Sequence, residues 1–477
     1  MIRIILFLNT CFIGLFFLNA QEISIGNRIN LPSKILQENR PISIYLPPSY
    51  YTNKKQKFPV LYILDGDYNF KYVSGILELQ GGIAENIPEM ILIGISGKDT
   101  EKYRKNCKPN IKDISDKGNA DTMFSFIEKE LTPYVDKKYR TANYNILAGH
   151  SVGGLFVVYA SLKKPKLFNN YIAISPSLWW ENNAIIQIAK ETIYNNPDFK
   201  TNTYISLANE KGMKVSPFLK TASNSIFKND FILYLFFFGI IILAIILFLK
   251  FKKQQKSKLY YVGFPVFLIV LGIFSFLYVS YFYYPENTNY KFKQFTEENH
   301  NSVGEPTYIW SLNEIFNDWK FNDVYVTNSA EIETHFNQVK NKFGNSFNLS
   351  KGVLANTVRY ILKDNKEELN HLNVIIQNNY PDAHPYFISL LSDIEKDSVK
   401  ARKILINGLT KYPNSIDLLQ KNAILEINSK HFKKADSLLN ITLKTALSQK
   451  IRQWQINEII GLKDKITNSQ NLLKTPN

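Results

Sequence analysis

One hexapeptide constrains the fold of this chain more than any other feature. Residues 149–154 read Gly-His-Ser-Val-Gly-Gly, directly after the apolar run 144–148 and directly before the apolar stretch 155–160. This is a Gly-x-Ser-x-Gly motif at a strand-to-helix turn, the arrangement called a nucleophile elbow. Its small residues let the backbone turn sharply, so that the hydroxyl of Ser151 is exposed and the N-terminus of the following helix points at it. The motif therefore predicts a strand, a reactive serine at the edge of a sheet, and a helix.

A regular alternation of short apolar strands and amphipathic helical stretches surrounds the elbow. It runs from Pro41 to about Trp319 and is broken by one longer apolar insert. Strands are predicted at residues 59–64, 90–95, 145–148, 171–174, 204–207 and 290–295. Such alternation predicts an α/β fold with a mostly parallel sheet and helices on both faces. Ligands bind such sheets at the carboxyl ends of the strands.

The first twenty residues form a leader. They carry one basic residue, Arg3, then an apolar stretch too short for a comfortable membrane span, and they end with Ala20. This pattern predicts a secretory signal peptide that is cleaved after Ala20, with an uncleaved N-terminal anchor as the alternative. In either case the body of the protein is exported.

Two further apolar runs lie in mid-chain, at residues 231–251 and 260–284, and each is near the ~20 residues that cross a bilayer. Tyrosines border the second run, and lysines crowd the loop 252–259 between the runs. By the positive-inside rule this loop is cytoplasmic, and both outer flanks face the exported side. The sequence predicts a transmembrane hairpin over residues 231–284 that tethers the protein to the inner membrane, with its other domains on the periplasmic side. Two buried core helices are the alternative.

Length and composition argue against several classes of partner and cofactor. A chain of 477 residues is long enough for two folded units. Much of the net charge of +16 comes from dispersed lysines without a zinc-finger or RNA-recognition signature, so nucleic acid is not an expected partner. Cys107 is alone once the leader with Cys11 is removed, and the six histidines lack ligand-like spacing. Neither an internal disulfide nor a metal or other cofactor is expected.

Six blocks of sequence carry a family resemblance. They are LYILDGDYNF (61–70), PEMILIGIS (88–96), GHSVGG (149–154), ISPSLWW (174–180), YISLANE (204–210) and KFKQFTEENHNSV (291–303). In this order they resemble the α/β-hydrolase "putative esterase" family, which includes the enterochelin and salmochelin siderophore esterases and, more distantly, esterase D and the mycolyltransferases. The resemblance spans about residues 25–320 without the hairpin. It implies an α/β-hydrolase fold in two parts, 21–230 and 285–321, interrupted by the membrane insert.

The resemblance also implies a catalytic set. It assigns Ser151 as the nucleophile and His300 as the general base, with an acid between them in chain order, where Glu210 follows a predicted strand. The hydroxyl must lose its proton during attack, a neutral imidazole can take that proton, and a carboxylate can fix the imidazole tautomer. Glu297 and Glu298 lie nearer to His300 in sequence, and a Ser/His pair without a working acid is a further alternative.

The remaining implied site residues surround the nucleophile. The backbone N–H groups of Val152 and Asp67 are the implied oxyanion hole. Trp179 and Trp180 are expected either to wall an acyl or aryl pocket or simply to pack a loop. The stretch around Arg104 lacks the acidic residue found in the family, which leaves the substrate open.

Residues 322–477 are polar and helical in pattern. Tyr380-Pro381 recurs as Tyr412-Pro413 after 32 residues, and Lys400-Ala401 recurs as Lys434-Ala435 after 34. A period near 34 is typical of tetratricopeptide repeats, whose stacked helix pairs form a concave binding surface. The sequence predicts an all-α, tetratricopeptide-like region that binds a protein partner, with an ordinary helical bundle as the alternative.

Together these features predict a membrane-tethered serine esterase on the exported side. It would cleave a small-molecule or glycan-linked carboxylic ester through an acyl-enzyme intermediate, without a cofactor. An acyltransferase on the same fold and a catalytically silent scaffold that binds a protein through its repeats are the alternatives. Because the insert joins a helix to the amino end of a strand, the site is expected to face away from the bilayer.

Overall fold

The structure is a computed structural model, and it describes residues 24–111, 117–196, 198–224, 290–320, 327–344 and 349–472, with isolated positions between 239 and 270. The predicted leader (1–20) and the predicted hairpin (231–284, isolated positions apart) lie outside the described residues and stay predictions. No helix within the described ranges is both long and apolar enough to cross a bilayer.

An eight-stranded sheet forms the centre of the first half of the chain. Its strands are β1 (Asn27–Ser33), β2 (Glu38–Tyr45), β3 (Phe58–Leu64), β4 (Ile91–Ile95), β5 (Thr141–His150), β6 (Asn170–Ile174), β7 (Thr203–Leu207) and β8 (Tyr290–Gln294). The spatial order is β1-β2-β4-β3-β5-β6-β7-β8. Strand β2 runs antiparallel to both of its neighbours, and all the other pairs are parallel. The prediction of a mostly parallel sheet is confirmed, and the hairpin of β1 and β2 is an addition to it.

The central strands are apolar because helices cover both of their faces. Every residue of β3 and of β4 is buried, as expected for parallel strands with no solvated side. Strand β8 lies at the edge, and its Lys291 and Lys293 are exposed. Charged side chains on an edge strand discourage pairing with another chain.

Nine helices accompany the sheet among the described residues. They are α1 (Ser49–Thr52), α2 (Gly66–Leu77), α3 (Thr100–Cys107), α4 (Ala120–Phe126), α5 (Thr132–Lys138), α6 (Val152–Lys163), α7 (Trp180–Tyr194), α8 (Val215–Asn224) and α9 (Gly304–Ile315). Helices α2 and α9 share one hydrophobic core on one side of the sheet. Helices α4 to α8 share the other core. This arrangement is like that of the α/β-hydrolases.

The second half of the chain is helical, as predicted. Its helices are α10 (Ser329–Phe343), α11 (Lys351–Asn356), α12 (Lys366–Asn379), α13 (His384–Ile394), α14 (Ser398–Lys411), α15 (Ile416–Asn428), α16 (Phe432–Ser448) and α17 (Gln453–Leu472). Tyr380 and Tyr412 directly follow α12 and α14 with nearly the same backbone angles, φ −132° and ψ 55° against φ −130° and ψ 68°. The recurring Tyr-Pro pair therefore marks the same turn in successive helix pairs. The protein partner of this region stays a prediction.

An aromatic cluster joins the two halves. The ring of Phe343, at the end of α10, lies 5.4 Å from that of Tyr144 and 5.5 Å from that of Phe316, between centroids. Only 4% of Phe343 is exposed. Because Tyr144 lies in the first half of β5 and Ser151 follows its last residue, the helical region attaches on the side of the sheet away from Ser151.

A charged contact supports the same junction. Arg452, just before α17, pairs with Glu78 at 2.5 Å and with Glu89 at 3.2 Å. Glu89 precedes β4, which places this contact at the amino ends of the strands as well. Strand β8 begins at that edge with Tyr290, where the chain returns from residues 225–289.

We expect Phe343→Ala to lower the free energy of unfolding by about 3 kcal/mol, because it empties a buried aromatic contact between the two halves. Urea unfolding of the full chain, followed by circular dichroism, measures the change. Leu447→Ala is the control, since Leu447 is 55% exposed and should change stability by less than about 0.5 kcal/mol. Equal effects of the two variants would contradict the described junction.

Candidate active site

Ser151 stands at a sharply bent turn between β5 and α6. Its backbone has φ 58° and ψ −114°, a conformation that residues other than glycine rarely adopt. Its N–H donates to the carbonyl of Ile174 at 2.9 Å, and its own carbonyl accepts from the N–H groups of Ser177 at 3.0 Å and Leu155 at 3.1 Å. These hydrogen bonds hold the strained turn, and the predicted nucleophile elbow is present.

Two glycines of the motif permit this close packing. A Cβ atom on Gly149 would lie 2.5 Å from the carbonyl oxygen of Gly153, and one on Gly154 would lie 2.9 Å from the Cα of Pro176. Both contacts are with backbone atoms, which cannot move aside as a flexible side chain could. The elbow therefore requires glycine at both positions.

His300 and Glu210 meet although they are 90 residues apart in the chain. Nδ1 of His300 lies 2.9 Å from Oε2 and 3.1 Å from Oε1 of Glu210. Glu210 follows β7 and His300 follows β8, and the two strands pair in parallel. Between the two loops, the N–H of Asn209 donates to the carbonyl of Glu298 at 2.8 Å. Parallel pairing thus brings the predicted base and acid together.

This geometry distinguishes among the three carboxylates considered as the acid, Glu210, Glu297 and Glu298. Glu297 is exposed, and Glu298 is joined to the opposite loop through its backbone carbonyl. Glu210 is the carboxylate that accepts from His300. With Nδ1–H donating to Glu210, the other ring nitrogen, Nε2, is free to accept a proton.

His150 contacts His300, the proposed base, and directly precedes Ser151, the proposed nucleophile. Its ring lies against the ring of His300, with centroids 4.6 Å apart. Ser151 is the next residue, so His300 lies at the same edge of the sheet as the nucleophile. Burial and the neighbouring His300 lower the pKa of His150 to about 4. His150 is therefore neutral near pH 7 and adds no positive charge beside the base.

The nucleophile's hydroxyl contacts another serine. In the part of the chain that the structure describes, the side-chain partner of Ser151 Oγ is Ser177 Oγ, at 3.3 Å, rather than His300. Catalytic hydrogen bonds are often long before substrate binds, so this geometry is compatible with a role for His300.

A cavity of about 330 Å³ opens beside Ser151. Its wall contains Ser151, Val152 and the loops that follow β3 and β4, with Asp65, Asp67, Gly97, Lys98, Asp99, Thr100, Tyr103 and Arg104. Val152 and Asp67, the implied oxyanion-hole residues, thus border the same space as the nucleophile. Both belong to the first turns of helices, α6 and α2, where N–H groups have no acceptor within the helix.

Side chains hold this wall in place. Asp67 accepts from Arg28 at 2.8 Å and from the hydroxyl of Ser96. Lys98 pairs with Glu38 at 3.0 Å. Burial and the nearby Asp67 raise the pKa of Asp65 above its ordinary value. Several charged side chains therefore border the cavity.

The two tryptophans differ in their surroundings. Trp180 is 5% exposed and belongs to the hydrophobic core beneath α7. Trp179 is 51% exposed. Neither borders the cavity beside Ser151. For Trp180 the structure favours the packing alternative over a pocket wall.

Sequence reasoning missed His150 and Ser177. His150 occupies the variable position before the serine in Gly-x-Ser-x-Gly, where any residue satisfies the motif. Ser177 is one of two serines in the apolar block 174–180, directly after a predicted strand. A polar residue just past the carboxyl end of a parallel strand is the signal that could have found it.

Comparison with known proteins gives consistent matches to esterases. A family model described as "Putative esterase" matches residues 33–216. The chain is 26% identical over 197 residues to the ferri-bacillibactin esterase BesA of Bacillus subtilis, covering 38% of this chain and 64% of BesA. It is 31% identical over 183 residues to the uncharacterized protein YbbA of the same organism, covering 36% of this chain and 70% of YbbA. The chain thus spans just under two thirds of BesA.

A solved structure of an IroE-like serine hydrolase from Shewanella oneidensis is also similar. Its TM-score is 0.48 at 21% identity, over 78% of this chain and 100% of that one. The family model ends at residue 216, before His300. The assignment of His300 therefore depends on the geometry described above.

We expect Glu210→Gln to slow the labelling of Ser151 by a fluorophosphonate by about 10²–10⁴-fold, because an amide no longer fixes the tautomer of His300 or stabilises its charged form. Labelling rates of the full chain measure the effect. Glu297→Gln and Glu298→Gln are matched controls that should label like the native chain. A Glu210→Gln variant that labels at the native rate would show that His300 needs no acid.

Proposed function

The chain belongs to the "Putative esterase" family, and from that membership we propose that it is a serine hydrolase that cleaves carboxylic esters through an acyl-enzyme intermediate. The observation that carries the proposal is the pairing of His300 with Glu210 at the sheet edge that also holds Ser151. A nucleophilic serine needs a base beside it, and the base needs a group that fixes its orientation.

Acylation uses each part of this arrangement. The oxygen of Ser151 attacks the ester carbonyl carbon while its proton passes to Nε2 of His300, whose positive charge Glu210 stabilises. The N–H groups of Val152 and Asp67 donate to the carbonyl oxygen, which becomes negatively charged. The tetrahedral intermediate then breaks its bond to the alcohol oxygen, which takes the proton from His300 and leaves.

A water molecule completes the turnover. His300 takes a proton from the water, whose oxygen attacks the acyl carbon. Collapse of the second tetrahedral intermediate returns that proton to the oxygen of Ser151 and releases the carboxylic acid. An alcohol in the place of water would instead form a new ester, which is the acyltransferase alternative.

The proposed substrates are polar esters of the siderophore class. The similarity to BesA, which is named as a ferri-bacillibactin esterase, supports this class. The cavity beside Ser151 supports it too, because Asp65, Asp99 and Arg104 border it. Burying an aliphatic acyl chain against charged groups would cost their hydration without giving them a partner.

We expect Ser151→Ala to lower ester turnover by about 10³-fold or more without affecting folding, because it removes the oxygen that forms the acyl-enzyme in the proposed mechanism. The assay uses the full chain with a siderophore lactone, a feruloyl ester and an acylated sugar, with and without an added alcohol. Ser392→Ala, in the helical region, is the control. Unchanged turnover in Ser151→Ala would overturn the proposal, and ester products from the alcohol would indicate an acyltransferase.

We further propose that residues 231–284 anchor the protein in the inner membrane, with the catalytic and helical regions on the exported side. The apolar composition of 231–251 and 260–284 and the lysine-rich loop between them support this. The insertion point supports it as well, since β8 begins at the sheet edge opposite Ser151. The active site would then open away from the bilayer.

Single introduced cysteines can test which side of the membrane each flank of the hairpin faces. In intact spheroplasts, a membrane-impermeant maleimide should label Glu286→Cys, whereas Lys256→Cys should react only after permeabilisation. Background labelling by the maleimide is expected to be low because Cys107, the cysteine that remains after the predicted cleavage, is buried. Labelling of both variants in intact spheroplasts, or release of the protein from membranes by alkaline carbonate, would contradict the proposed anchor.

A further inference from the structure

The hydroxyl of Ser151 has a buried partner. Ser177 Oγ lies 3.3 Å from Ser151 Oγ, and Ser177 is only 3% exposed. Within the described residues, no other hydrogen bond engages the hydroxyl of Ser177. Buried polar groups are normally hydrogen-bonded, and Ser151 is the partner described for the hydroxyl of Ser177. We therefore look for a role of Ser177 that acts on Ser151.

The loop that carries Ser177 is fixed from two sides. On one side, the N–H of Ser177 donates to the carbonyl of Ser151 at 3.0 Å. On the other, the hydroxyl of Ser175 accepts from the N–H of Ala208 at 3.0 Å, and the N–H of Ser175 donates to the carbonyl of Ser206 at 3.1 Å. The loop therefore bridges the elbow and the end of β7, and the hydroxyl of Ser177 is held in place.

We propose that Ser177 is a positioning residue that donates its hydroxyl proton to the oxygen of Ser151. This role rests on the proposed function of the site. With one lone pair of Ser151 Oγ engaged by Ser177, the proton of Ser151 is directed away from Ser177 and toward the base. A serine hydroxyl has one donor and two acceptor sites, so this arrangement leaves the nucleophile's own proton available.

The contribution of Ser177 differs between the two half-reactions. During acylation, negative charge develops on Ser151 Oγ as its proton moves to His300, and a hydrogen bond to a charged oxygen is stronger than one to a neutral oxygen. When water attacks the acyl-enzyme, Ser151 Oγ is an ester oxygen, and charge develops on the carbonyl oxygen instead. Ser177 should therefore assist acylation more than the attack of water.

The experiment separates these steps with a chromogenic ester, p-nitrophenyl acetate, and the full chain. The pre-steady-state burst gives the acylation rate constant, and the later linear phase gives deacylation. We expect Ser177→Ala to lower the acylation rate constant about tenfold, the effect of losing one hydrogen bond to a developing charge, with little change in deacylation. Ser177→Thr keeps the hydroxyl and should recover most of the lost rate.

Ser311→Ala is the matched control. Ser311 is fully buried, and its hydroxyl donates to the carbonyl of Thr307 within its own helix. Its loss should leave both rate constants unchanged, and urea unfolding of each variant verifies the fold.

Each outcome has a distinct meaning. An acylation rate constant in Ser177→Ala equal to that of the native chain would overturn the role of Ser177. A parallel fall in both rate constants that Ser177→Thr does not repair would assign Ser177 a purely structural role and would also overturn it. Absence of a burst and of fluorophosphonate labelling in the native chain would overturn the proposed function itself, and that result is obtained without any Ser177 variant.

Discussion

The strained backbone of Ser151 is the constraint on which the site depends. A non-glycine residue in such a conformation costs about 1–3 kcal/mol and persists only where its surroundings determine it. Here three backbone hydrogen bonds, to Ile174, Ser177 and Leu155, offset that cost. The first two come from the end of the neighbouring strand β6 and the loop after it. The position of the nucleophile is thus fixed by the sheet, and a change in the packing of β5 against β6 would be transmitted directly to the reactive oxygen.

Parallel pairing then collects the remaining groups at one edge. Five successive strands in the sheet, from β3 to β8, end on the same side, and each is followed by a loop that contributes to the site. Asp67 follows β3, Ser177 follows β6, Glu210 follows β7 and His300 follows β8. The helical region contacts the opposite edge through Phe343 and Arg452. The residues proposed for catalysis and the attachment of the second half therefore lie at opposite edges of the same sheet.

The sequence predicts the structure well where a local pattern is compatible with one local conformation. The six predicted strands are all present. Five of them are mainly apolar runs that helices cover on both faces, as is typical of parallel strands, and β8 pairs with β7 at the edge of the sheet. The bent turn at Ser151 and the contact of Glu210 with His300 also agree with the sequence analysis, and the catalytic role of Glu210 stays a prediction. Strands β1 and β2 were missed because they mix polar residues and prolines, and because β2 runs antiparallel to both β1 and β4. The roles of Trp180, His150 and Ser177 depend on neighbours distant in sequence, which no local pattern reveals.

The order of the strands has a consequence for the newly made chain. Among the described strands, β8 is the last in sequence and lies at one edge of the sheet, and His300 follows it. The ribosome therefore adds Ser151 about 150 positions before His300, the proposed base. Until β8 has been synthesised and has paired with β7, the growing polypeptide lacks the imidazole that the proposed mechanism requires. The proposed catalytic set is therefore completed only when β8 joins the sheet.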